Sequence, residues 1–177
     1  SRMPLPTSFS TAPPQAAFPR LCVSALSGGG GKTLLSLGLA RAASAAGVAV
    51  KPFKKGPDYI DAAWLALAAG RPATNLDPYF LPPARLRALF IQAMEALLRS
   101  DSVEAGTPNV LGLVEGNRGL FDGLDVEGSC STAELARALD CPILLSLDCT
   151  KMTRTAAARP FTSPATVSLP SRALYTA

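Results

Sequence analysis

Between an apolar run, Leu21-Cys22-Val23-Ser24-Ala25-Leu26, and an Ala/Leu-rich stretch from Lys32 to Ala46, the chain carries Ser27-Gly28-Gly29-Gly30-Gly31-Lys32-Thr33. Consecutive glycines destabilise the interior of any strand or helix, so this segment reads as a loop joining a strand to a helix. That context is the one a phosphate-binding loop requires. Glycines let successive backbone N–H groups converge on an anion, and the helix N-terminus adds positive potential. In such a loop Lys32 reaches the β- and γ-phosphates of a nucleotide and Thr33 ligates Mg²⁺. The full pattern asks for glycine at position 26, where this chain has Leu26, so the loop is a variant. A glycine-rich turn followed by a chance Lys-Thr is the plain alternative, and the flanking strand and helix weigh against it.

The remaining pattern continues this alternation. Gly47 closes the helix, and Val48 to Phe53 reads as a second strand. Ile60 to Ala69 forms a short helix ending at Gly70, followed by a segment with Pro72, Pro78, Pro82 and Pro83 that reads as irregular. Leu86, Leu89, Phe90, Ala93, Met94, Leu97 and Leu98 then recur at helical spacing, with Pro83 suited to the first turn. That stripe is core. Two more apolar strands, Val110 to Val114 and Pro142 to Leu147, flank Ser131-Thr132-Ala133-Glu134, whose capping-box spacing opens a helix through Leu139. Apolar strands alternating with helices predict an α/β fold, a parallel sheet with helices on both faces of the P-loop NTPase type, whose ligands sit at the carboxyl ends of the strands. Four strands in view make the sheet look incomplete. Residues 1–19, with five prolines, read as a disordered leader, 20–158 as the nucleotide-binding domain and 159–177 as an aberrant, disordered tail.

Composition narrows the chemistry. The chain has no histidine, which excludes Ser-His and Cys-His nucleophile pairs and His-ligated zinc within it. Its net charge of +4 is confined to Lys151, Arg154, Arg159 and Arg172, because Lys/Arg and Asp/Glu balance over residues 1–150. No basic face for nucleic acid is expected. Cys22, Cys130, Cys141 and Cys149 form no C-x-x-C pair and read as reduced core thiols. With no apolar run long enough to span a bilayer and no signal-peptide core, a cytoplasmic protein without a membrane partner is expected.

Two further segments land on the same sheet edge as the glycine loop. Lys54-Lys55-Gly56-Pro57-Asp58-Tyr59-Ile60-Asp61 follows the second strand. A lysine there can stabilise transferring phosphoryl charge, and an aspartate can hold Mg²⁺ or position substrate. Equally, this is a solvated turn in which Asp58 or Asp61 caps the next helix. Glu115-Gly116-Asn117-Arg118-Gly119-Leu120-Phe121-Asp122-Gly123 follows the third strand, where Glu115 is a candidate second anchor for Mg²⁺. Asp122 either orients substrate or fixes the glycine turn. Asp148 reads as a turn or capping residue.

Together these strings resemble the cobyrinic acid a,c-diamide synthases. The resemblance rests on the Gly-Lys-Thr loop, Phe53 to Asp61, Asn75-Leu76-Asp77, Glu115 to Gly123 and Ser131-Thr132-Ala133, in order, over roughly residues 20–158. It implies a dethiobiotin-synthetase-like fold and ATP- and Mg²⁺-dependent amidation of corrin carboxylates through an acyl phosphate, with ammonia drawn from glutamine. By matching positions, it places Lys32 and Lys54 on phosphoryl charge, Thr33 and Glu115 on Mg²⁺, Asp58 or Asp61 on metal or substrate, and Asp122 with Ser131 to Ala133 at the corrin.

The family continues into a glutaminase domain with a nucleophilic Cys and a His, which this His-free chain lacks. An N-terminal part of such a synthase is therefore expected, with the pattern breaking near Ala158 as a frameshifted tail would break it. A regulatory ATPase of the partition or septum-site type is the alternative, as is a non-functional fragment. Ser27 stands where the partition class carries a signature lysine. A homodimer is compatible with either enzyme or ATPase.

Overall fold

In the computed structural model, residues 18–100, 109–149 and 174–176 are described. Residues 1–17, 101–108, 150–173 and 177 lie outside the described residues, and with them nearly all of the expected leader and most of the expected tail. The first strand, β1 (Arg20–Ala25), runs through the glycine loop into α1 (Lys32–Ala45). Then come β2 (Ala49–Lys55), α2 (Tyr59–Ala69), β3 (Thr74–Leu76), α3 (Pro83–Leu98), β4 (Val110–Glu115), α4 (Thr132–Ala138), β5 (Ile143–Ser146) and β6 (Leu174–Thr176). The sheet order is β3-β2-β4-β1-β5-β6, and every pairing is parallel. The predicted α/β class is the observed one.

Period-two alternation divides the core between the two faces. Val23, Val50, Leu113 and Leu144 turn to the side of Ala40 on α1 and Ala69 on α2. Cys22, Phe53, Val114 and Ile143 turn to the opposite side, with Leu86, Phe90 and Met94 of α3 and Leu135 of α4. The α3 stripe is buried as its spacing predicts, and Phe90 stacks tilted on Phe53 with ring centroids 4.8 Å apart. Phe90 also lies so close to β4 that a Cβ on Gly112 would come within 2.7 Å of its ring. Gly112→Ala is therefore expected to lower unfolding stability by about 1–3 kcal/mol, measured by urea denaturation, because a filled core has no room for an added methyl.

Several elements differ from the expected ones. β3 replaces an irregular stretch: three residues between prolines are too few to display alternation, yet Thr74, Asn75 and Leu76 pair in register with Phe53, Lys54 and Lys55. β2 extends through Lys54 and Lys55, and β4 through Glu115, so these charged residues lie on strands and not in the turns after them. At the other edge, the backbone of Leu174–Thr176 pairs with Leu144, Leu145 and Ser146, within a tail expected to carry no element.

Candidate active site

The glycine loop leaves the carboxyl end of β1 in the middle of the sheet, with β4 on one side and β5 on the other. Gly29 (φ 74°) and Gly31 (φ 78°) are left-handed, a conformation that only glycine adopts at little cost. Gly30 has to be glycine for a second reason, since its Cβ would lie 2.8 Å from that of Ala25. Gly31 is also the N-cap of α1, and no side chain caps the helix there. The first-turn N–H groups are thus left for an anion, the arrangement expected of Gly28 to Gly31. Ser146 at the end of β5 braces the loop, its hydroxyl donating to Gly30 O at 2.6 Å. Lys32, only 7% exposed, bends back over the loop to donate to Ser27 O at 3.4 Å. Burial, and next the Lys54 ammonium, hold its pKa below the ordinary lysine value against the pull of Glu115, Asp61 and Asp122.

Beside the loop, Lys54 and Glu115 are partners in register on adjacent strands, and both turn to the α1–α2 face. Lys54 Nζ donates to Glu115 Oε1 (2.9 Å), Asp61 Oδ2 (2.8 Å) and Gly116 O (3.2 Å). All three of its N–H donors are thereby engaged. Burial opposes the Lys54 charge, but the hydrogen bond to Asp61 and the Glu115 carboxylate outweigh it and hold the ammonium above its usual pKa. Burial likewise works against the Asp61 charge, and the hydrogen bond from Lys54 overcomes it, so the Asp61 carboxyl titrates below its usual range. Thr33 at the start of α1 donates to the same Glu115 Oε1 at 2.8 Å. Glu115 is wholly buried, and its second oxygen, Oε2, has no hydrogen-bond partner.

The structure therefore brings Lys32, Thr33, Lys54, Asp61 and Glu115 together. Asp58 stands at the margin: Oδ1 accepts from the N–H groups of Ile60 and Asp61 as the N-cap of α2, while Oδ2 lies 3.8 Å from Lys54 Nζ. Asp122 Oδ2 accepts from Gly119 N at 2.8 Å and so fixes the turn, while its residue also lines a neighbouring cleft. Ser131 to Ala133 are buried and sit behind the cleft. Ser131 caps α4, and Thr132 Oγ1 both accepts from Asn117 N and donates to Asn117 O at 3.2 Å, holding the β4–α4 loop in place. Among the cysteines, burial pushes the Cys22 thiol up to about 12 and the Cys141 thiol well above its usual value, as inert core thiols require. Cys130 and Cys149 differ from the expected core thiols: both are half-buried, and Cys130 lies at the cleft.

Sequence reasoning missed the cleft itself. About 520 Å³ in volume, it opens beside Asp122 on the α3–α4 side of the strand ends. Its walls come from the β2–α2 connection (Gly56, Pro57), the β3–α3 connection (Asp77, Tyr79, Phe80) and the long β4–α4 loop. Asn75, within one of the motif strings, ties two of these walls by donating to Gly56 O (2.7 Å) and Asp58 O (3.0 Å).

The donor set fits Mg²⁺ and a nucleotide. Mg²⁺ is commonly held by one or two carboxylates plus substrate phosphates, without a protein cage. Among the described residues no group of three or more Asp, Glu, Cys or His could hold a metal alone. Thr33 Oγ1 and the unpartnered Glu115 Oε2 lie beside an uncapped helix N-terminus suited to phosphate. Among the described residues no helix is long and apolar enough to cross a membrane.

No protein-family model matches the chain. Individual relatives do. It is 47% identical over 140 residues to a cobyrinate a,c-diamide synthase of Magnetococcus marinus, covering 79% of this chain and 27% of that protein. It is 40% identical over 144 residues to a hydrogenobyrinate a,c-diamide synthase of Streptomyces coelicolor, covering 81% and 27%. A cobyrinate a,c-diamide synthase of Salmonella typhimurium matches at 40% over 121 residues, 68% of this chain and 24% of the relative. The chain thus spans about a quarter of the length of the curated relatives it matches, and over that quarter it is a homologue of the cobyrinate and hydrogenobyrinate a,c-diamide synthases.

Proposed function

We propose that the chain is the nucleotide-binding and carboxylate-activating part of a ligase that amidates corrin carboxylates. The observation that carries this reading is Glu115: a wholly buried carboxylate with one oxygen shared by Lys54 and Thr33 and the other unpartnered beside the glycine loop. A buried anion held in this way is suited to a cation that arrives with a phosphate. The chemistry that ATP and Mg²⁺ supply in this reading is conversion of a carboxylate into an acyl phosphate, from which ammonia displaces phosphate and loses a proton to leave a carboxamide.

The chain's own residues bind and orient. The backbone of Gly28 to Gly31 and the Lys32 ammonium receive the phosphates, and Thr33 with Glu115 receives the metal. Lys54, its donors engaged, holds Glu115 and Asp61 in position, so its contribution to phosphoryl charge is electrostatic and not a direct contact in this arrangement. Asp58 secures the turn carrying Asp61, and Asp122 lies between the phosphate loop and the cleft that would seat the corrin. The residues given include no His to pair with a Cys nucleophile, so this reading assigns the release of ammonia to residues other than these.

The test is amidation of cobyrinate by the purified chain with Mg·ATP and ammonium salt in place of glutamine, read as carboxamide formation with stoichiometric ADP and phosphate. Product formation that Lys32→Ala abolishes is the expected result. ATP binding and turnover without any corrin dependence would favour a regulatory ATPase instead.

A further inference from the structure

Lys54 and Lys55 are adjacent on β2, so the sheet sends their side chains to opposite faces. Lys54 joins Glu115 and Asp61 on the α1–α2 side, and Lys55 emerges on the side of Phe53, where it lines the cleft. Lys55 is nine-tenths buried, with 9% of its surface exposed, yet among the described residues it makes no hydrogen bond or ion pair. Burial pulls its pKa below the ordinary lysine value. The nearest acid, Asp77, attracts it only through space, and Asp77 Oδ1 is already accepting from Tyr79 N at 2.9 Å. The Lys55 stem is buried while its ammonium, which is not among the fully buried polar atoms, opens into the cleft without a protein partner among the described residues, and partly desolvated cations of this kind concentrate where a ligand supplies the missing charge.

The surroundings define that ligand. Tyr79 and Phe80 stand edge to face, centroids 4.9 Å apart, and expose most of their surface at the mouth of the cleft. Leu124 continues this apolar wall, while Arg118, held at φ 54°, adds a second cation at the rim. Asp77 and Asp122 also line the cleft, but each already accepts a backbone N–H, from Tyr79 and from Gly119, whereas the Lys55 ammonium has no partner among the described residues; an apolar wall with such a cation suits a large apolar frame bearing carboxylates. Strand alternation turns Lys55 away from Glu115, which lies on the face of Lys54, so Lys55 is placed for a part of the substrate other than the reacting carboxylate. We propose that Lys55 is a specificity residue that receives a second, non-reacting carboxylate of the substrate, while Tyr79 and Phe80 seat its apolar frame. This inference rests on the corrin-amidating reading above.

The experiment titrates the full chain calorimetrically with cobyrinate and, separately, with a cobyrinate whose carboxylates are all esterified. Lys55→Met is expected to weaken cobyrinate binding about tenfold or more, as loss of a charge-assisted hydrogen bond does, and to leave the affinity for the ester as it was. Lys55→Arg is expected to recover most of the loss. The urea midpoint of Lys55→Met is expected to be no lower than that of the wild type, since the ammonium faces the cleft and makes no hydrogen bond or ion pair whose loss would destabilise the fold. Unchanged cobyrinate affinity, an equal loss for the ester, or a fallen midpoint in both Lys55→Met and Lys55→Gln would overturn the assignment while leaving the amidation reading intact. Absence of cobyrinate binding by the wild-type chain overturns both.

Discussion

Lys54→Met is expected to lower the free energy of unfolding by about 3–5 kcal/mol, the range for removing one member of a buried ion pair. The cost arises from what is left behind. Glu115 would remain wholly buried with only Thr33 donating to it, and Asp61 would lose its 2.8 Å partner. Urea denaturation of the two single variants and of Lys54→Met/Glu115→Gln should show strong non-additivity, the double variant being less destabilised than the sum. The neighbouring substitution provides the control: Lys55→Met, one residue along the same strand, is expected not to destabilise at all. Consecutive lysines with effects this different are explicable only if one is paired and the other is not.

Titration should follow the same pair. Asp61 has a lowered pKa, so its stabilisation is present above the ordinary carboxylate value of about 3.9 and is lost as pH falls through the lowered one. Lys54 has a raised pKa, so its stabilisation is present below about 10.4 and is lost as pH rises through the raised one. Unfolding stability measured across pH should therefore hold a plateau between these limits. Lys54→Met should flatten both limbs.

Lys32→Ala is expected to weaken Mg·ATP binding about 100-fold, within the range that follows from losing a charge-assisted contact in a sheltered site. The folded chain should tolerate the change, because Lys32 makes only a long 3.4 Å contact with Ser27 O and its charge is disfavoured by burial and by Lys54. A large loss of affinity with little loss of stability separates a ligand-binding lysine from a structural one. Lys54→Met provides the opposite signature.

What could be read from the sequence was what repeats or stands in a fixed local order. The glycine loop between an apolar run and an Ala/Leu stretch specified β1, the turn and α1, and the spacing of Leu86, Phe90 and Met94 specified α3 and its buried face. Glu115 and Lys54 were identified by their place at strand ends. Their pairing was not, because it depends on β2 and β4 being neighbours in register, which no local pattern encodes. The same non-local fact hid the different fates of Lys54 and Lys55. Alternation along β2 separates them only because the strand extends through Lys55, beyond the apolar run that ends at Phe53. β3 was illegible because three residues show no period, and the cleft because its walls come from three separate connections.

Calorimetric titration of ATP into the wild-type chain, with Mg²⁺ and then with the metal chelated, tests the central claim most directly. Saturable binding that requires Mg²⁺, and that falls about 100-fold in Lys32→Ala, is the result predicted from the glycine loop with Thr33 and Glu115. Absence of binding by the folded chain, or binding that neither Mg²⁺ nor Lys32 affects, would contradict it.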